Sequence, residues 1–159
     1  MQSKPAFYWR LLAVLPYINP LWLATQCSET ANGLHPFLHF YDQLTMPIFY
    51  FMCSLPAWFA FLYFIFSYLG IVRNNRFPHF LRFHFISGML MEIFMQVLVN
   101  VNDWVPPAAY WGKLGQHFWL ATCLTYIFIT VECIISALKG MYADVPFISD
   151  AAYMQIPYE

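Results

Sequence analysis

Charge is what this chain most lacks. Of 159 residues, 7 are Lys or Arg and 8 are Asp or Glu, and none of these lies between Met46 and Val72. With 9% charged residues against 61% hydrophobic, the apolar surface cannot be hidden as in a soluble domain of ordinary composition. The net charge of -1 averages a basic side and an acidic side and is silent on nucleic acid, but no basic cluster with interleaved aromatics occurs outside one short stretch, which argues against a nucleic-acid partner. Cysteine is scarce too. Cys27, Cys53, Cys123 and Cys133 show no Cys-x-x-Cys spacing, which argues against a disulfide framework and against a metal site. The start, Met1-Gln2-Ser3-Lys4-Pro5, lacks a basic region leading into an unbroken apolar run and is no secretory signal. Neither Gly-x-Ser-x-Gly nor His-Glu-x-x-His is present, and four of the five histidines fall at predicted helix ends or in loops. Catalytic, cofactor-binding and metal-ligating residues are therefore expected to be absent.

What is present is long apolar runs hung on a basic hinge. Residues 68–84 contain Arg73, Arg76 and Arg82, preceded by 27 residues without a charge, Met46 to Val72. At about 1.5 Å per residue such a run exceeds the roughly 30 Å hydrocarbon core of a bilayer. Four spans are expected, at about 7–24, 46–72, 80–101 and 117–138, followed by an extended-looking tail over 139–159. The whole chain, 1–159, then forms one all-α integral membrane domain. Pro16, Asn19 and Pro20 should break and bend the first span and Pro56 should kink the second, because proline removes a helix hydrogen bond. Residues 25–45 and 102–116 read as interfacial connections, the latter with prolines, glycines and aromatics. Four spans put both termini on one side. That side, with the hinge, collects Lys4, Arg10, Arg73, Arg76, Arg82 and Lys139 against Lys113 alone, so the basic hinge sets the topology by the positive-inside rule.

Two polar stripes cross the third and fourth spans. His84, Gly88, Glu92, Gln96 and Asn100 recur every four residues and wind over about 160° of one helix side. Thr122, Thr125, Ile129, Glu132 and Ser136 follow a 3,4 spacing within about 80°. The plainer reading is interhelical hydrogen bonding, worth about 0.6 kcal/mol per bond and up to roughly 2. The sharper one is a polar cavity or subunit contact, since a carboxyl in mid-membrane costs at least a few kcal/mol unless protonated, paired or turned to protein or water. Helices three and four, joined by a short connection, are expected to pack antiparallel. The axial offset of Glu92 and Glu132 rules out a direct pair between them.

The hinge blocks Gly70-Ile71-Val72-Arg73 and His79-Phe80-Leu81-Arg82-Phe83-His84 resemble the signature of the twenty-kilodalton subunit of TIC, the translocon of the chloroplast inner envelope. Leu34-His35-Pro36-Phe37-Leu38, the block from Tyr110 to Trp119, and the tail from Gly140 to Phe147 and from Asp150 to Tyr158 agree with its main green-tissue form. The resemblance implies a multi-pass, four-helix protein of the inner envelope with both termini in the stroma. It implies a part in importing nuclear-encoded preproteins, beside other TIC subunits, membrane lipids and, directly or through linkers, the TOC complex. It implies no enzyme and no cofactor. The family's precursors carry a transit peptide, so this chain is expected to be the mature form. His84 stands where more distant relatives often have asparagine, and no role is carried over to it. Four helices alone pack with a filled centre, so a translocation path would be shared with other subunits. The contrasting possibility is a small membrane enzyme or sterol-type lipid binder using Glu92 and Glu132 in a closed pocket.

Overall fold

The computed structural model describes residues 5–31, 35–56, 58–102, 104, 106 and 112–156, and for 25–31 and 102 the backbone alone. Among these residues all regular structure is helical. In order come α1 (Phe7–Leu12), a 3₁₀ turn (Leu15–Tyr17), α2 (Ile18–Ala31), α3 (Pro36–Ser54), α4 (Trp58–Ile65) continued by a π-helical turn (Phe66–Val72), α5 (His79–Asn102), α6 (Lys113–Lys139) and α7 (Ile148–Gln155).

The first segment bends where its sequence demands. Pro16 opens the 3₁₀ turn between α1 and α2, and neither helix, of 6 and 14 residues, is long enough to span alone. Helix continues to Ala31, so residues 25–31 are not the interfacial loop expected there. The second segment departs further from expectation. Helix α3 begins at Pro36, not near Met46, because His35 is extended and its ring Nδ1 accepts from the Phe37 amide at 3.2 Å, with Pro36 in the first turn where a missing N–H costs nothing. Pro47 is accommodated inside α3. The break comes before Pro56, where Leu55 takes the extended conformation that a following proline favours. In place of one kinked span over 46–72, α3 and the helix running from Trp58 to Val72 meet at 97°.

Among the described residues two helices are long and apolar enough to cross a membrane, His79–Val101 and Lys113–Lys139, and the bent pair is a third if it counts as one span. α6 ends cleanly: Gly140 sits at φ 75, the Met141 amide donates to Ser136 O at 2.9 Å and the Gly140 amide to Ala137 O at 3.0 Å. This is the Schellman arrangement, which satisfies carbonyls left open at a helix end. Beyond it the chain is not extended as expected. Helix α7 folds back onto the start of α5, and Ser149 Oγ accepts from the Val145 amide at 2.7 Å while donating to Ala143 O at 2.9 Å.

The core forms around α2, which packs on α3, α5 and α6. The direct α5–α6 pairing expected from their short connection is replaced by this sandwich, with Tyr126 of α6 reaching across to donate to Met91 O at 3.1 Å. α6 turns Trp119, Cys123, Tyr126, Thr130, Cys133 and Ala137 inward. Lipid tails are as apolar as these side chains, so van der Waals fit and interhelical hydrogen bonds hold such a bundle. The closest fit is at Gly88, where a Cβ would lie 2.7 Å from Pro16 Cβ and 2.8 Å from Pro16 O. Cys53 is exposed and Cys133 is buried, while the buried Cys123 thiol donates to Ala24 O at 3.5 Å. The Cys27 side chain, residues 103, 105 and 107–111 of the 102–116 connection, and residues 157–159 of the tail lie outside the described residues.

Candidate functional site, an intramembrane polar surface

On α5 a four-residue step turns 40° past a full helical turn, so a stripe with that repeat cannot keep one neighbour throughout. The structure follows this geometry. His84 and Gly88 are buried against the first segment, Glu92 is half-buried, and Gln96 and Asn100 are exposed. His84 bridges three parts of the chain: its Nε2 lies 3.1 Å from Met141 O and its Nδ1 lies 2.8 Å from the Tyr17 hydroxyl. A carbonyl only accepts, so Nε2 carries the hydrogen, and in the neutral ring Nδ1 accepts from Tyr17. The histidine is a structural bracket between the first segment, α5 and the tail.

Glu92 has the internal partner that its depth calls for. Asn19 Nδ2 donates to Glu92 Oε1 at 2.9 Å. Tyr63 of α4 is near enough to interact with the same carboxyl electrostatically. Glu92 follows His79 by 13 residues, about 20 Å along the axis, so this bond sits deep in the span. Below it, toward Asn100, the stripe opens outward and presents amides without leaving the helix.

On α6 the polar set divides. Ser136 is buried, Thr122 and Ile129 are half-buried, and Thr125 and Glu132 are exposed. The stripe therefore lies at the edge of the packed face instead of facing α5. The hinge divides as well. Arg73 and Arg76 are exposed, whereas Arg82 is buried and its Nε donates to Val72 O at 2.7 Å, closing the end of the π-helical turn.

Three contributors escaped sequence reasoning. Asn19 reads as a helix breaker beside Pro20, and its pairing with Glu92 spans 73 positions. Tyr17 reads as one more aromatic. His79, at the start of α5, repeats the pattern of His84: Nδ1 lies 3.1 Å from the Tyr142 hydroxyl and Nε2 3.3 Å from Ile156 O, so both histidines hold the tail. The only available signal was the recurrence of tyrosine in the tail, at Tyr142 and Tyr153, opposite a histidine-bearing helix start.

The arrangement offers hydrogen bonding and charge inside a membrane. The family described as "Chloroplast import apparatus Tic20-like" matches residues 1–152. The chain is 51% identical over 159 residues to "Protein TIC 20-I, chloroplastic" of Arabidopsis thaliana, covering all of this chain and 58% of that protein. It is 48% identical over 159 residues to "Protein TIC 20, chloroplastic" of Pisum sativum, covering all of this chain and 63% of that protein. A "Tic20 family protein" of Synechocystis is 28% identical over 154 residues, 94% of this chain and 93% of the relative. The chain thus spans about three fifths of the length of the two plant proteins.

Proposed function

The chain belongs to the Tic20-like family of the chloroplast import apparatus, and from that membership we propose that it is a membrane subunit of the inner-envelope protein translocon, taking part in import of preproteins into the stroma. The observation that carries this reading is 51% identity along the entire chain to a protein named as chloroplastic TIC 20-I. A chloroplast membrane protein fits the helices of apolar, spanning length. Its role is assembly and passage, not catalysis.

Four spans, with both termini and the hinge in the stroma, is the topology we assign. It is supported by contacts that gather the basic ends. A Cβ on Gly140 would lie 3.0 Å from Arg10 Nε, the rings of Trp9 and Phe77 meet edge-on at 6.1 Å, and Phe83 lies 4.8 Å from Tyr153. The first segment counts as a span in this reading, its two helices crossing together, and α3–α4 as another. The stripe residues His84, Gly88, Glu92, Gln96 and Asn100, with Thr122, Thr125, Glu132 and Ser136, form the intramembrane polar surface used in assembly or passage. A bundle filled at its centre by α2 shares any path with other TIC subunits.

The test is isolation from envelope membranes in mild detergent with a preprotein arrested in transit. Recovery with other TIC subunits and the TOC complex, and a crosslink to the preprotein, are expected. A monomer that recovers alone and forms no crosslink overturns the proposal.

A further inference from the structure

Most of the exposed residues of α6 fall in one row, with Lys113, His117, Val131 and Leu138 exposed outside it. Leu114, Phe118, Ala121, Thr125, Phe128, Glu132, Ile135 and Lys139 are exposed, spaced 4,3,4,3,4,3,4 along the helix. That is the heptad spacing of a helix–helix seam. The inward row, Trp119, Cys123, Tyr126, Thr130, Cys133 and Ala137, has the same spacing about 150° away at 100° per residue. α6 thus carries two seams, one filled by this chain and one open along the whole helix.

The open seam contains a carboxyl. Glu132 is exposed, lies seven residues before Lys139, about 10 Å inside the helix end, and has no hydrogen-bond or ion-pair partner among the described residues. Lipid alone is a poor cover, because an ionised acid inside the hydrocarbon layer costs at least a few kcal/mol. A second copy is a poor cover too. Two copies inserted with the same topology would be related by an axis along the membrane normal, which sets Glu132 against Glu132 at one depth, and like charges there repel.

We propose that the outer seam of α6 docks a transmembrane helix of another subunit that presents a basic side chain to Glu132, with Thr125 two turns away on the same seam available as a hydrogen-bond acceptor or donor. This deepens, and rests on, the reading of the chain as a translocon subunit. The complementary charge removes the cost that either partner bears alone in the membrane, and the 3,4 spacing supplies the register.

A photocrosslinking residue is placed singly at Phe118, Phe128 and Ile135 on the seam, and at Val131 and Leu138 off it, in the full chain within its native complex. Adducts with one partner protein at the three seam positions, at least tenfold above the two controls, are expected. Glu132→Gln should reduce the Phe128 adduct at least tenfold, Glu132→Asp should retain part of it, and Val131→Ala should leave it unchanged. Equal labelling on and off the seam, an adduct of twice this chain's mass, or an undiminished adduct in Glu132→Gln overturns the inference. If complex recovery is intact while the seam yields no partner, only this inference falls; if the complex itself is not recovered, the translocon reading falls.

Discussion

At the scale of residues, Glu92 illustrates why a half-buried acid need not be paired with a base. The Asn19 amide supplies one hydrogen bond to its carboxyl at 2.9 Å, an interaction that sequence distance hides. Glu92→Gln keeps an oxygen acceptor in place and removes only charge, so the thermal midpoint of the purified protein should stay within about 2 °C of wild type. Import into isolated chloroplasts should nonetheless slow if the polar surface serves passage, and Glu92→Leu should lower both readouts. Unchanged import with Glu92→Gln would reduce Glu92 to helix glue. Asn19→Leu leaves the carboxyl without its donor, a loss of about 1–3 kcal/mol. That corresponds to a midpoint several degrees lower, at about 2–4 °C per kcal/mol for a chain of this size. Gly88 is the second sensitive point: Gly88→Ala brings a Cβ within 2.7 Å of Pro16. Either the first segment shifts or α5 does, and overpacking of this kind costs about 1–3 kcal/mol.

At the scale of elements, the tail is a clamped one. Two histidines on the first two turns of α5 each take a tyrosine hydroxyl on Nδ1 and give Nε2–H to a backbone carbonyl, of Ile156 for His79 and of Met141 for His84. Around them Phe83 packs on Tyr142 at 5.0 Å and on Tyr153 at 4.8 Å. Aromatic pairs of this kind add about 0.5–1.5 kcal/mol each beyond the area they bury. Replacing both histidines, as His79→Phe with His84→Phe, should therefore release the 141–156 segment while α5 and α6 stay folded. Limited proteolysis in detergent should cut that segment at least tenfold faster, with helicity by circular dichroism little changed; equal protection in variant and wild type would show that the rings alone hold it. The α3–α4 break belongs to the same scale. Proline at position 47 sits within a helix while proline at position 56 ends one, and the difference is the extended Leu55 before the second.

For the whole molecule, topology is the property that most needs a direct measurement. Cysteine labelling at Asn75 and Met154 should report one side, and at Leu114 the other. Asn75 and the 84% exposed Met154 lie on the hinge and tail, and the 87% exposed Leu114 lies at the opposite end of α6. Met154 serves better than the neighbouring Ser149, whose hydroxyl is buried between Val145 and Ala143. Opposite labelling of positions 75 and 154 would remove the four-span arrangement.

That the chain is helical and apolar enough for a membrane, roughly where α5 and α6 run, and which family it belongs to are all legible in the amino-acid order. Each of these is written in local composition and order: the long stretch from Met46 without a charge, the apolar runs expected at about 80–101 and 117–138, and the blocks around Arg82 and Gly140, although α6 begins four residues earlier, at Lys113, inside the connection expected over 102–116. The partners of the polar side chains emerge with the packed fold. Period alone shows that His84, Glu92 and Glu132 lie on polar stripes, but a stripe has no direction until a neighbour is placed beside it. Here the neighbour of α5 is the first segment with Tyr17, Pro16 and Asn19, α2 stands in the place expected of α6, and the tail folds back as a helix. Those pairings join residues 57 to 73 positions apart, and they are chosen by which surfaces fit without voids and without stranded polar groups, a condition that no window of sequence contains.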